Sequence, residues 1–165
     1  MEGAFTVNGK NRKFTFTPDE RLLFTLRENG YTEVKNGCQE GECGACLILL
    51  DDKPVNSCQV LTASAIGKNI KTVKRIGDLH SPHIIQRAFV ETGAVQCGFC
   101  TPGMIIATYA LLRDNPDPSE EEIKNALDGN LCRCTGYVKI IEAVKLAAKR
   151  MKIGVMEYWS TGVVE

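Results

Sequence analysis

The sequence lacks an excess of charge of either sign, and it lacks a long apolar run. Its 165 residues include 20 Lys and Arg against 20 Asp and Glu, so the formal net charge is zero. Proteins that bind DNA or RNA neutralise phosphates with clustered basic residues, and the balanced charge excludes that class of partner. The apolar stretch from Met104 to Leu112 is far shorter than the roughly 20 residues that cross a bilayer. We therefore expect a soluble protein with no nucleic-acid partner and no membrane span.

The N-terminus lacks a secretion signal, and the cysteine content is too low for a disulfide scaffold. Residues Met1 to Thr6 contain neither a basic start nor an apolar run. The 8 cysteines are about 5% of the chain, below the roughly 8–10% of disulfide-dense domains. A chain of this length also buries enough surface to fold without covalent staples. We expect a cytoplasmic protein whose thiols stay reduced and are available to bind metal.

The first third of the sequence predicts a β-rich domain with one helix. Asn8-Gly9 is a type I′ hairpin signal between two stretches in which apolar and polar residues alternate. Thr17-Pro18-Asp19-Glu20 has the pattern of a helix N-terminus, and Asn29-Gly30 that of a helix end. A loop rich in glycine and cysteine follows over residues 36–46. Short strands are predicted over residues 47–50 and 70–73.

The hydrophobic pattern changes to a period of 3.6 residues after about Arg75 to His80, which predicts a helical second domain. Four helices are predicted to begin at Ser81-Pro82, at Thr101-Pro102, at Ser119 and at about Tyr137, the last ending near Met151. The predicted segments are a first domain over residues 1–76, a helical domain over 77–151 and a tail over 152–165. The tail, which contains Tyr158 and Trp159, is a candidate docking segment for a partner.

Four cysteines lie in the predicted β-rich domain, separated by four, two and eleven residues: Cys38, Cys43, Cys46 and Cys58. The spacing of the first three matches the plant-type ferredoxin pattern for a 2Fe-2S cluster. The glycines among them, Gly37, Gly41 and Gly44, suit a backbone that brings its N–H groups close to sulfide. Free buried thiols or a zinc site remain alternatives, although structural zinc usually pairs two short-spaced dyads.

The other four cysteines come from two predicted inter-helix loops: Cys97, Cys100, Cys132 and Cys134. Each dyad precedes a helix N-terminus, where unpaired N–H groups and a positive partial charge favour a thiolate. Taken alone, this tetrad leaves a zinc site open, although the single-residue gap between Cys132 and Cys134 is unusual for zinc. Two sites of four thiolates account for every cysteine in the chain.

Both tetrads, in this order, occur with the segments GAVQCGFCTPG at residues 93–103 and GNLCRCTGY at residues 129–137. This combination closely resembles the iron–sulfur subunit of the molybdenum hydroxylases, the family of xanthine dehydrogenase, aldehyde oxidoreductase and carbon monoxide dehydrogenase. The resemblance covers about residues 3 to 150. It implies an α+β fold in which an N-terminal β-grasp, ferredoxin-like domain is followed by a C-terminal four-helix bundle, each holding one 2Fe-2S cluster.

The same resemblance implies an electron-transfer role within a larger complex and no catalytic residue on this chain. Single electrons would pass from molybdopterin on a large partner subunit, through the two clusters, to FAD on a medium partner subunit. Gln96 and Cys134 match positions that lie against the pterin in this family. The substrate would be a purine such as xanthine, another N-heterocycle, an aldehyde or carbon monoxide. A free-standing ferredoxin-like carrier is the alternative, but such a carrier is usually strongly acidic, which this chain is not.

Overall fold

The computed structural model describes the backbone of residues 1–161 and the side chains of residues 1–152. Strands β1 to β5 span Glu2–Val7, Lys10–Thr15, Leu47–Leu50, Lys53–Asn56 and Asn69–Lys71. Helices α1 to α6 span Leu22–Glu28, Val73–Ile76, Ile84–Glu91, Thr101–Asp114, Glu120–Leu127 and Val138–Thr161. The last helix thus continues past its predicted end near Met151. The docking role predicted for the tail falls on side chains outside the described residues.

The N-terminal domain is a five-stranded sheet with the strand order β2-β1-β5-β3-β4, and α1 packs on its core. Strands β1 and β5 are parallel, whereas the β1–β2 and β3–β4 pairs are antiparallel hairpins. The first hairpin turns at Asn8 and Gly9 with φ of 52° and 79°, as the type I′ prediction requires. The apolar face of α1, formed by Leu22, Leu23 and Leu26, is fully buried. This arrangement confirms the predicted β-grasp domain.

The predicted start of α1 at Thr17 is wrong. The backbone N–H of Thr17 does donate to the Glu20 carboxylate at 3.2 Å, but the helix begins at Leu22 with Arg21 as its extended N-cap. The Leu22 N–H donates to the Val60 carbonyl at 2.8 Å, so the chain entering the helix is held against a distant segment. This tertiary contact, which the capping pattern does not contain, delays the helix by several residues.

The C-terminal domain is a bundle of α3, α4, α5 and α6 around one apolar core, which confirms the predicted four-helix bundle. Helix α3 begins at Ile84, later than the predicted Ser81-Pro82, because His83 is its N-cap and accepts a hydrogen bond from the Ile85 N–H. Burial lowers the pKa of His83, which keeps this acceptor neutral. The capping box predicted at Ser119 is present, and its partner is Glu122.

The two domains pack directly against each other through β3 and α4. Ile48 and Leu50 of β3 enter the core of the sheet domain, whereas Leu49 between them packs on Ile106 and Ala110 of α4. Strand β3 is therefore buried on both faces, which explains why it is an unbroken apolar run. The last predicted strand ends at Lys71 rather than Val73, because α2 begins there and packs on the helical core. Across the described part of the chain, no helix is both long and apolar enough to cross a membrane.

Candidate metal centres

The loop that precedes β3 takes the left-handed backbone conformation at three positions. The φ angles of Gln39, Gly41 and Gly44 are 64°, 84° and 65°. Glycine adopts this conformation without steric cost, whereas a residue with a Cβ does not. At Gly37 a Cβ would lie 2.7 Å from Cys43 Sγ, so only glycine lets the chain pass this sulfur so closely.

Backbone N–H groups of this loop point at its two sulfurs. The N–H groups of Glu40 and Cys43 donate to Cys38 Sγ, and the Cys38 N–H donates to Cys43 Sγ, each at 3.4 Å. Hydrogen bonds from the loop, with that from the Glu40 N–H the largest, outweigh burial and lower the pKa of Cys38 to about 7. The lowered pKa favours the thiolate form of Cys38, and the hydrogen bond from the Cys38 N–H holds the Cys43 sulfur beside it.

Cys46 and Cys58 form a second, buried pair in the same domain. Cys46 directly precedes β3 and Cys58 lies two residues after the end of β4, and the pairing of Leu47 with Asn56 brings the two ends together. Their side chains are 3% and 1% exposed. Burial, reinforced by the neighbouring Cys58 thiol, raises the pKa of Cys46 to about 11. A buried thiolate here requires a cationic partner, which is what a metal cluster supplies.

The four cysteines of the helical domain also meet in two pairs. Cys97 Sγ lies 3.5 Å from Cys134 Sγ at the surface. Burial, together with the neighbouring Cys132 thiol, raises the pKa of Cys100 to about 12. Cys100 is the N-cap of α4, and Cys132 and Cys134 lie in the loop before α6, so the tetrad gathers at two helix N-termini.

The donor set and its arrangement fit two 2Fe-2S clusters. Each tetrad consists of four thiols and divides into an outer pair and an inner pair. Within the described residues, no group of three His, Cys, Asp or Glu side chains converges on a single ion position. A cluster of two irons bridged by sulfides takes four thiolates, two for each iron, and this requirement matches the two-by-two pairing.

The two cysteine loops touch each other. The N–H of Leu131, one residue before Cys132, donates to the carbonyl of Cys43 at 3.0 Å. Beside this bond lies the Asn130 side chain, which is 6% exposed and whose Oδ1 has no hydrogen-bond partner among the described residues. A Cβ on Gly44 would be 2.5 Å from that oxygen. The domains therefore dock through the loops that carry the thiols.

Gln96 and Cys134 lie in the exposed part of the second tetrad. Gln96 precedes Cys97, and the 3.5 Å separation of the Cys97 and Cys134 sulfurs brings the two segments together at one surface. Two exposed apolar residues flank the Cys132–Cys134 segment in the chain: Leu131, at 59% exposure, comes directly before Cys132, and Val138, at 61%, is the first residue of α6. The pterin-contact role of Gln96 and Cys134 stays a prediction, and the surface around them is open to a partner.

Three polar residues contact the first tetrad or its loop, although the sequence patterns did not predict a role for them. The Arg21 guanidinium donates to the carbonyls of Gln39 and Cys58, and the Asn56 side-chain amide donates to the Gly41 carbonyl at 2.9 Å. Gln59 donates to Cys58 Sγ at 3.4 Å. Asn56 and Gln59 lie within two residues of Cys58, which is a weak signal, but nothing near Arg21 in the sequence indicates a role.

Comparisons with known proteins place both halves of the chain. A family model described as "2Fe-2S iron-sulfur cluster binding domain" matches residues 5–69, and one described as "2Fe-2S binding domain" matches residues 72–145. The nicotinate dehydrogenase small FeS subunit of Eubacterium barkeri is 50% identical over 87% of this chain and 92% of that protein. The aldehyde oxidoreductase of Megalodesulfovibrio gigas is 39% identical over 90% of this chain but only 17% of that protein.

A solved structure shows the same fold. The crystal structure of quinoline 2-oxidoreductase from Pseudomonas putida 86 contains a chain with a TM-score of 0.88 and 41% identity. The match covers 93% of this chain and 97% of that chain. Two 2Fe-2S binding domains in one small chain are therefore supported by sequence, by structure and by the arrangement of the thiols.

Proposed function

Because the chain belongs to the iron–sulfur subunits of the molybdenum hydroxylase family, we propose that it relays single electrons from a molybdopterin site on a large partner subunit to FAD on a medium one. It is thus the iron–sulfur subunit of an oxidoreductase. The observation that carries the proposal is the contact between the two cysteine loops, in which Leu131 donates to the Cys43 carbonyl at 3.0 Å. A relay needs its two centres close together in one molecule, and this contact provides that.

The proposed ligands are the two tetrads. The N-terminal cluster is held by Cys38, Cys43, Cys46 and Cys58, and the C-terminal cluster by Cys97, Cys100, Cys132 and Cys134. A bound 2Fe-2S cluster takes up and releases one electron at a time. The chain itself binds and shields the clusters: the loop N–H groups stabilise the Cys38 thiolate, the sheet core buries Cys46 and Cys58, and the bundle core packs against the half-buried Cys100 and Cys132.

The C-terminal cluster is proposed to face the molybdopterin. Cys97 and Cys134 are exposed, whereas Cys46 and Cys58 are covered by protein. A partner that covers Cys97 and Cys134 would exclude water from this end of the cluster. In this arrangement Gln96 and Cys134 would contact the pterin, and the chain would contribute no group to the substrate reaction.

We favour an N-heterocycle as the substrate of the complex. The relative that is 50% identical is named for nicotinate, and the structure with a TM-score of 0.88 is named for quinoline, both of which are nitrogen heterocycles. The relative named for aldehydes is 39% identical. The substrate pocket itself would lie on the large partner subunit.

Spectroscopy of the purified chain tests the two-cluster assignment. We expect about four irons and four sulfides per chain and two 2Fe-2S signals in the electron paramagnetic resonance (EPR) spectrum after reduction. Cys43→Ser should remove one signal and Cys132→Ser the other, since each thiol belongs to a different tetrad. A single signal at full iron loading, or a colourless protein that contains zinc, would contradict the assignment.

Isolation of the native complex tests the partners and the substrate. Molybdenum and FAD should copurify with this chain, and reduction of the iron–sulfur clusters should follow addition of an N-heterocycle, such as nicotinate, quinoline or xanthine, more readily than addition of an aldehyde. A chain that migrates alone in native extracts, without molybdenum or flavin, would support the free-standing carrier instead.

A further inference from the structure

Gln39, the residue after Cys38, is held in an unfavourable backbone conformation. Gln39 has φ of 64°, a region that residues with a Cβ seldom occupy. Its carbonyl accepts two side-chain hydrogen bonds, from Arg21 Nη1 at 2.6 Å and from Gln59 Nε2 at 3.2 Å. A conformation that costs free energy persists only when its surroundings hold it. Here two side chains from other segments do so.

Arg21 connects the two stretches that supply thiols to the N-terminal site. Its guanidinium also donates to the Cys58 carbonyl at 2.9 Å, so one side chain bridges the Cys38 loop and the Cys58 segment. The backbone of Arg21 is held in place by an isolated antiparallel β-bridge to Leu61, which fixes the point from which the guanidinium reaches both carbonyls. Both hydrogen bonds come from Nη1, whose two N–H directions are fixed by the guanidinium plane, whereas a lysine nitrogen lies one bond nearer the backbone and has no such fixed directions.

Gln59 joins the same two stretches and also reaches a sulfur. Its Nε2 donates to Cys58 Sγ at 3.4 Å as well as to the Gln39 carbonyl. Its side chain runs along Gly41, where a Cβ would lie 3.0 Å from Gln59 Cγ. A hydrogen bond to a ligand sulfur favours the more negative, reduced state of an iron–sulfur centre and raises its reduction potential.

We propose that Arg21 and Gln59 are positioning residues for the N-terminal cluster: together they hold the Gln39 peptide against the Cys58 segment, and Gln59 also raises the reduction potential through its bond to Cys58 Sγ. This inference rests on the proposed function, because it assumes a cluster on the first tetrad. Neither residue touches a substrate, and neither supplies a ligand.

The reduction potential of the N-terminal cluster tests the role of Gln59. In the full chain, Gln59→Leu should shift the reduction equilibrium of the N-terminal cluster about tenfold towards the oxidised state, which is about 59 mV for a one-electron couple. An EPR-monitored redox titration measures it, and the C-terminal cluster in the same sample is the internal reference. An unchanged potential, or an equal shift of both clusters, would overturn this role.

The rate of iron release tests the bridge that Arg21 makes between the Gln39 and Cys58 carbonyls. Arg21→Gln and Arg21→Lys should both release iron from the N-terminal cluster to a chelator several-fold faster than the wild type, since neither replacement can bridge the two carbonyls as arginine does. The matched control is Arg12→Gln, which removes the same charge from the same domain; among the described side chains, the Arg12 guanidinium donates to the Tyr31 hydroxyl alone. A wild-type rate of iron release in Arg21→Lys would show that a positive charge alone is sufficient to hold the cluster, and it would overturn the proposed bridging role of Arg21.

The Gln39→Gly variant distinguishes the proposed positioning role of Arg21 from a general loss of stability. Glycine accepts the positive φ without cost, so Arg21→Gln should accelerate iron release much less in a Gln39→Gly background. An equal acceleration in both backgrounds would contradict the positioning role. Absence of both clusters from the purified wild-type chain, by contrast, would contradict the proposed function and not this inference alone.

Discussion

Gly44 lies where the two cysteine loops meet. Its φ is 65°, and a Cβ there would overlap the Gly129 carbonyl oxygen and lie 2.5 Å from Asn130 Oδ1. Gly30 has a similar positive φ of 87°, but a Cβ on Gly30 would have no neighbouring atom within 4 Å. The two glycines therefore differ in one respect, since only Gly44 allows a close approach of two domains.

Gly44→Ala should destabilise the chain more than Gly30→Ala. The backbone strain alone costs about 1 kcal/mol at either position, and the overlap at Gly44 should add about 2 kcal/mol or more, because its neighbours are backbone and a buried amide. Chemical denaturation of both variants measures the difference. Equal losses would mean that the loops separate freely and that their contact contributes little to stability.

Helix α5 shows how charge placement connects two elements. Its first turn carries Glu120 at the positive end of the helix, and Glu120 forms ion pairs with Lys124 at 2.6 Å and with Lys145 of α6 at 2.5 Å. The hydrogen bond from Lys124, followed by that from Lys145, lowers the pKa of Glu120 to about 2. The pair with Lys145 joins α5 to α6 beside the loop that carries Cys132 and Cys134.

Glu120→Gln should lower the melting temperature by a few degrees at most, because the side chains are half exposed and solvent screens the pairs. The pKa of the folded state lies below the ordinary value of 4.5, so the stabilisation is present above about pH 4.5 and is lost as the pH falls towards 2. Melting curves across this range should therefore converge with those of the wild type. Glu121→Gln, at the next position of the same first turn, is the control, and it should change the melting temperature less at pH 7.

At the scale of the whole molecule, two hydrophobic cores are joined by a small apolar contact, and the net charge depends on whether the clusters are bound. The bare chain is neutral, but each oxidised 2Fe-2S cluster with four thiolates carries roughly −2, so the loaded chain is near −4. The joint consists of Leu49 from β3 with Ile106 and Ala110 from α4, all buried. Together with the bond between Leu131 and Cys43, this contact fixes the spacing of the two sites.

Ile106→Ala should cost about 2–5 kcal/mol and should uncouple the domains, because it opens a cavity at their joint. Calorimetry should then resolve two unfolding transitions in place of one. Val90→Ala is the control: Val90 is 72% exposed, and its loss should change stability by less than about 0.5 kcal/mol. A single transition in Ile106→Ala at nearly wild-type temperature would show that the domains are held together elsewhere.

The sequence by itself determined several features that depend mainly on neighbours along the chain. The hairpin at Asn8-Gly9 and the capping box at Ser119 follow from local backbone and side-chain preferences, and the structure contains both. The spacing of the cysteines within each loop is also local, and with the flanking motifs it was sufficient to predict the family and the two-domain fold, which the comparisons confirm.

Only the tertiary structure decided the features that join distant residues. The capping pattern at Thr17 predicted the wrong start for α1, because the contact of Leu22 with Val60 outweighs it. The division of each tetrad into two thiol pairs and the bridge made by Arg21 likewise depend on segments many residues apart. Local preferences carry no information about such contacts, because the free energy that selects them comes from packing segments that are distant in the sequence against each other as the chain folds.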